Sequence, residues 1–250
     1  MISQTSETKA TIEVHDIKDV FDVILEYKYP PKRGEFETLE DYKKRLPTPY
    51  DSSSIWYVFL EAMGDARNKP YEYDIDNEML TFVGGSKYEL PPKNYEPLQG
   101  YPICVKVRNK ELGSYEATNA FGATINVEKT HFEAFVVNYV NESGLPEVAF
   151  DRANGVFSCS IEKPPKEAEQ LSQQLELAIE IKPVNPLNCA EEDSDFDLIN
   201  PTMNFPYEMS SSLYWVDAQF VSLVLYNKST LVVQKRILCK DSTVESQKFH

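Results

Sequence analysis

Asp193, Asp195 and Asp197, in "DSDFD", have the alternate spacing of the first three ligands of a calcium-binding loop. Such a loop also needs glycine at its sixth position, for the sharp turn, and a bidentate glutamate at its twelfth. This chain has Leu198 and Asn204 there. The three aspartates are therefore candidates only for a loosely held cation, and a solvated acidic loop is the simpler reading; no metal and no cofactor is assigned. Asp74, Asp76 and Glu78 raise the same question, but alternation in an extended segment puts them on the water-facing side of a strand. Of the three histidines, His15, His131 and His250, none has a metal-ligand partner at helical or short-loop spacing. His131 begins a strand and reads as structural.

Other chemistries lack their signatures. There is no GxSxG, no phosphate-binding GxxxxGK[ST] loop and no GxGxxG, so serine-hydrolase, nucleotide-hydrolase and dinucleotide-binding readings have no support. Cys104, Cys159, Cys189 and Cys239 include no CxxC pair, which removes a zinc ribbon and a thioredoxin-like motif. Cys104 and Cys159 lie in alternating apolar runs and read as buried thiols. At most one disulfide is expected, because the four cysteines are far apart and two are core-like. No catalytic residue is assigned, and the chain leans away from enzymes. A hydrolase with dispersed carboxylates would be revived by a pocket where acids or His131 converge.

The 250 residues carry 25 Lys plus Arg against 40 Asp plus Glu, a net charge of −15. Such a chain repels phosphate backbones and anionic lipid, so nucleic acid is not expected as a partner. No run approaches the ~18 apolar residues of a spanning helix. Fifteen tyrosines and thirteen phenylalanines with only nine glycines favour strands.

The elements that must position these residues read as follows. Ile17, Val20, Phe21 and Ile24 recur at i, i+3, i+4 and i+7, an amphipathic helix capped by Asp16 and stopped by Pro30 and Pro31. In "GEFETLEDYKKRLP" (34–47) Thr38 caps a second, short helix with acids first and bases last. So short a helix is marginal alone. Leu39 and Tyr42, with Phe36 before them, are expected to lie on a larger body, and Phe36 and Tyr42 are candidate interaction residues. From there period two dominates. Residues 54–62 read as a strand, and 71–83 as a hairpin turning near Asp76–Asn77 with Tyr71, Tyr73 and Ile75 on one face. Residues 103–107, 115–128 and 131–141 read as strands, and Asn154–Gly155 as a turn. Within 115–128, "NAFGA" places Phe121 beside Gly122, read as a bulge that could shape a groove; Phe121 is the third candidate interaction residue. Between 163 and 182 the period switches from helix to strand. Residues 185–206 read as a long acidic, Pro-punctuated loop, and the chain ends in a hairpin about Asn227–Lys228. The fold predicted is α+β, mainly antiparallel sheet with about three short helices, in a single domain over 1–250 that could divide near 91–100.

The segments "GEFETLEDYKKRL", "YEYDIDNEMLTF", "NAFGATINVEK" and "INPTMNFPYEM" resemble uncharacterised bacterial proteins, many exported or lipid-anchored, that carry a "FET…Y…R" element near the N-terminus. The resemblance implies a bacterial source and a trimmed signal, although neither a signal nor a lipobox cysteine is visible. Those proteins have no assigned activity, so no catalytic role carries over. The expectation is a non-enzymatic binding module of the cell envelope or periplasm with a protein partner. The alternative is a cytoplasmic, acidic inhibitor or immunity-type protein that neutralises a basic partner. Oligomeric state is left open.

Overall fold

The structure, a computed structural model, describes residues 10–46, 55–61, 69–87, 101–140, 145, 149–184, 190–194, 201–202, 204 and 206–238. In chain order its elements are β1 (Val14–His15), α1 (Ile17–Lys28), α2 (Leu39–Arg45), β2 (Trp56–Phe59), β3 (Tyr71–Asp74), β4 (Met79–Gly84), β5 (Ser86–Lys87), β6 (Tyr101–Thr118), β7 (Thr124–Tyr139), β8 (Phe150–Asp151), β9 (Val156–Glu162), α3 (Pro165–Ser172), β10 (Leu175–Pro183), β11 (Ala190–Ser194), β12 (Tyr207–Asn227) and β13 (Val233–Leu238). The class is α+β. Among the described residues no helix is long and apolar enough to cross a membrane.

Two sheets form. The smaller has the order β3-β4-β9-β8 and is antiparallel throughout. The larger has nine strands in the order β1-β2-β10-β12-β7-β6-β5, with β11 and β13 added alongside β12. It is mixed and not purely antiparallel, although most pairings are antiparallel as expected: β12 runs parallel to β7 from Tyr207↔Glu128 to Ala218↔Tyr139, and β1 runs parallel to β2. Parallel neighbours need a long crossover. Here the chain between β7 and β12 supplies β8, β9, α3, β10 and β11.

Bulges decide which side chains face inward. Glu180 pairs with Ser222 and Ile181 with Phe220, so Val221 is the extra residue. An extra residue flips the alternation. Val216, Ala218 and Phe220 face the main core before it, Leu223 and Leu225 after it. A second bulge leaves Leu112 unpaired beside Gly113, whose φ of +91° suits glycine.

The main core fills the space between the larger sheet, the smaller sheet and α1. Ile17, Val20, Phe21 and Ile24 are all buried in it. The Phe21 ring sits 5.9 Å from Phe135 and 6.0 Å from Tyr214, which stack on each other at 4.8 Å. Asp16 caps α1 by accepting from the Lys18 amide at 2.9 Å. From the smaller sheet come Leu80, Phe82, Phe157 and Cys159. The helix-to-strand switch falls between Ser172 and Leu175.

Several local expectations are corrected. Helix α2 buries none of its residues, and Phe36 is 95% exposed, so the stripe does not lie on the body. "NAFGA" is no bulge inside a strand; it is the turn that joins β6 to β7. Ile75 is exposed, because the chain has already left the strand for the turn at Asp74. Part of the acidic loop is ordered as β11, paired with Ser211–Trp215 of β12.

Candidate functional site

One cluster of described residues that could do chemistry lies on β6, β7 and β12, near the start of α1. The parallel register sets His131 opposite Ser210 and Glu133 opposite Ser212. His131 Nδ1 lies 2.8 Å from Ser210 Oγ, and its Nε2 lies 3.1 Å from Ser212 Oγ. A neutral imidazole donates to one hydroxyl and accepts from the other, so a serine–histidine pair of base-and-nucleophile type exists here. Three features deprive it of the rest of the machinery. Ser212 is buried within β12, in register with Glu133 of β7 on one side and Asp193 of β11 on the other, so it lies inside the sheet and not at an open strand end or sharp turn, where oxyanion-binding N–H groups are found. The nearby carboxylate, Glu133, is drawn to Lys110 Nζ at 2.6 Å. Its other oxygen is buried without a hydrogen-bond partner, so it does not hold the imidazole. The arrangement is a polar tie between two parallel strands.

Next to it, Asp16 receives Lys106 Nζ and, at 3.0 Å, Arg108 Nη2. Burial by itself raises the Asp16 carboxyl. The hydrogen bonds from Lys106 and the Lys18 amide, with the charges of Lys106 and Arg108, outweigh it and bring the group below the ordinary aspartate range. This pins the start of α1 to β6.

Of the metal-ligand candidates in the acidic loop, the structure describes one. Asp193 is in β11, in register with Ser212, while Asp195 and Asp197 lie outside the described residues. Among the described residues no group of three or more His, Cys, Asp and Glu is placed to hold a metal ion. Asp74 is used by its own turn: Oδ1 accepts from the Asp76 and Asn77 amides at 3.0 and 3.2 Å, and Oδ2 from Asn77 Nδ2 at 2.7 Å. Asp151 repeats the device with Ala153 and Asn154. Both are Asx-type turns with Asp-x-x-Asn spacing, at the places where the sequence predicts turns about Asp76–Asn77 and Asn154–Gly155.

The three candidate interaction residues sit on two separate projections. Phe121 is at the tip of the β6–β7 ribbon and is 96% exposed. Asn119 fixes that tip. Its Oδ1 accepts from the Phe121 and Ala123 amides, both at 3.0 Å, and its backbone bonds Gly122 and Ala123. Gly122 takes φ +80°, open space surrounding the place of a Cβ, so backbone conformation alone requires glycine. Further down the ribbon, Glu208 of β12 accepts from Tyr115 Oη and Lys129 Nζ, each at 2.9 Å, and the Lys129 ammonium lies 4.9 Å from the Tyr115 ring. These bonds brace the ribbon against the sheet.

Phe36 and Tyr42 belong to the other projection, and it is clasped from within. Arg45 grips Glu37 with two bonds, Nε to Oε1 at 2.6 Å and Nη2 to Oε2 at 2.7 Å, and also donates to the Lys32 carbonyl at 2.8 Å. The Gly34 amide donates to Glu37 Oε2, and Arg33 Nε to the Glu37 carbonyl, both at 2.9 Å. Thr38 Oγ1 accepts from the Asp41 amide at 3.1 Å, the predicted cap. Arg45 lies 5.4 Å from the Tyr42 ring centre. The Arg45 hydrogen bond, and after it the Gly34 amide, hold the Glu37 carboxyl down at about 2. The capping signals were legible; the Glu37–Arg45 clasp, spaced i, i+8, was not.

Sequence reasoning also missed a row across β2, β10, β12 and β13 on the face away from the main core. Glu180 is buried there and accepts from Tyr57 Oη at 3.1 Å, Arg236 Nη1 at 3.0 Å and Ser222 Oγ. Arg236 Nη2 also donates to Tyr57 Oη at 2.9 Å. Only the glutamates at alternate positions of an otherwise apolar strand hinted at it.

No protein-family model matches the chain, and neither a curated protein nor a solved structure matches it.

Proposed function

We propose that this chain is a non-enzymatic binding module of a bacterial cell envelope that holds a protein partner at the tip of the β6–β7 ribbon. One observation carries the reading: Phe121 stands 96% exposed on a turn whose backbone is tied by Asn119. A lone exposed apolar residue needs no explanation. An aromatic ring held out on a braced ribbon by a turn of fixed shape is different, because the ordering cost of presenting it is already met before a partner arrives. Rigid aromatic anchors are the residues that dominate protein interfaces. The envelope setting follows from the resemblance of the four segments above.

Residues 117–124, "ATNAFGAT", carry no charge, so an interface centred there is apolar. Phe121→Ser leaves the fold intact and lowers affinity for an envelope protein captured by the wild type at least about tenfold. Undiminished capture by folded Phe121→Ser would overturn the reading. A second reading, the acidic inhibitor, is favoured by the net charge of −15. Salt separates the two: binding to a basic partner weakens steeply as ionic strength rises, and tip binding does not.

A further inference from the structure

We infer that α2 docks on α1 of a second copy of this chain, in a reciprocal two-fold dimer. Two surfaces carry the inference. The first is the outer face of α1, opposite its buried stripe. Asp19, Asp22, Val23 and Glu26 stand at i, i+3, i+4 and i+7, and all four are exposed. Val23 is 44% exposed, and Tyr27, one turn further on, 38%. This is an apolar stripe edged by acids. The second is the clasped projection. Phe36 is 95% and Leu39 53% exposed, with Lys43 a turn after Leu39 on the same side of α2 and Lys44 beside it. These are two exposed apolar side chains followed by bases, of which Lys44 also pairs within α2 with Glu40 at 3.2 Å and Asp41 at 3.7 Å.

Charge identifies the occupant. Residues 29–45, after the end of α1, hold five basic side chains (Lys32, Arg33, Lys43, Lys44, Arg45) and four acidic ones (Glu35, Glu37, Glu40, Asp41), a net of +1. With the whole chain at −15, the remainder carries −16. The basic, apolar projection therefore matches the acidic, apolar face of α1 in both sign and character. Within one chain α2 buries no residue, and its leading segment travels with it, because Lys32 and Gly34 are bonded to Arg45 and Glu37. Between two copies each supplies one donor helix and one acceptor helix, so the contact occurs twice and closes. Helix-on-groove packing of this type uses short apolar anchors with a charged rim.

Sedimentation velocity on the full chain, from about 1 to 200 μM, tests this. A concentration-dependent dimer is expected. Phe36→Ser with Leu39→Ser weakens it at least about tenfold, with an unchanged circular dichroism spectrum. The decisive experiment swaps charges. A chain with Lys43→Glu and Lys44→Glu repels its own kind, as does one with Asp19→Lys, Asp22→Lys and Glu26→Lys. Mixing them restores both contacts, so a heterodimer forms where neither variant dimerises alone. Phe121→Ser leaves the dimer untouched, which keeps this inference separate from partner binding at the ribbon tip. A chain that stays monomeric over the whole range, a dimer indifferent to the α2 variants, or charge variants that fail to combine would each overturn it.

Discussion

Replacing Arg236 by methionine is expected to destabilise the protein by about 3 kcal/mol, and replacing Glu180 by glutamine in the same chain is expected to recover part of that loss. The magnitude comes from the row on the outer face. Arg236 gives a 3.0 Å hydrogen bond to a buried carboxylate, worth about 1.5–3 kcal/mol when one partner is charged. Its bond to Tyr57 Oη adds about 1 kcal/mol, and its position 5.5 Å from the Tyr57 ring about 0.5–1 kcal/mol. Breaking a buried ion pair from one side generally costs about 3–5 kcal/mol. The lower end applies, because the Arg236 side chain is partly exposed and the hydroxyls of Tyr57 and Ser222 still donate to Glu180.

The sign of the second change is the sharper test. With Arg236 gone, Glu180 is a buried charge without its counterion; glutamine keeps an acceptor for the same hydroxyls and removes the charge. The double variant should therefore be more stable than Arg236→Met by about 1 kcal/mol or more. Urea unfolding followed by Trp56 and Trp215 fluorescence measures both, with the slope on urea held constant as the check that the unfolded state is unaltered. Additive losses, with the double variant below Arg236→Met, would refute the claim that this row is an electrostatic unit.

Burial separates the two N-terminal helices. Phe21→Ala is expected to cost about 3–5 kcal/mol by emptying the buried space beside the stacked Phe135 and Tyr214 rings, whereas Tyr42→Ala should cost under about 1 kcal/mol of global stability, since α2 buries nothing; equal losses in denaturant unfolding would contradict the described packing. Because the Glu37 carboxyl is depressed to about 2, its clasp is fully present above the ordinary glutamate value of 4.5 and is lost as pH falls from there through about 2. Helical carbon shifts of residues 39–45 should fade across that window, and Glu37→Gln should remove the dependence. Burial pushes the Cys104 and Cys159 thiols up to about 12 and 11, so both should resist a thiol reagent at pH 8 until denaturant is added. Since both are free, only Cys189 and Cys239 remain to pair with each other, and peptide mapping that found either buried cysteine labelled in the native protein would count against this packing.

What could be read in advance was what is local. Helix α1 announced itself through Asp16 and four apolar positions at helical spacing, and all of them took the predicted places. The turns at Asp74–Asn77, Asp151–Asn154 and Asn227 were legible because Asp and Asn side chains bond their own following amides. The β7–β12 pairing left no such mark. Its partners lie 79 positions apart, as at His131 and Ser210, and period two says which residues share a face without naming the neighbouring strand. Helix α2 shows the complementary limit: an apolar stripe specifies that something should cover it, not that the cover belongs to the same chain.

The same distinction explains why the constellation of catalytic residue types escaped notice. His131, Ser210 and Ser212 meet only because β12 runs parallel to β7 in one register; a slip of one residue would send both serines to the opposite face. Yet that ladder, which brings the imidazole to two hydroxyls, also holds Ser212 between two neighbouring strands. Nucleophile sites need backbone N–H groups left open, and these are found where a strand ends or turns sharply. In this fold the open ends go elsewhere. The β6–β7 ribbon ends in Phe121 and the clasped segment in Phe36, both apolar, both exposed and both preorganised by side-chain hydrogen bonds. Among the described residues the polar groups are held inside the ladders and apolar side chains stand at these two extremities, the arrangement on which the proposed partner binding rests.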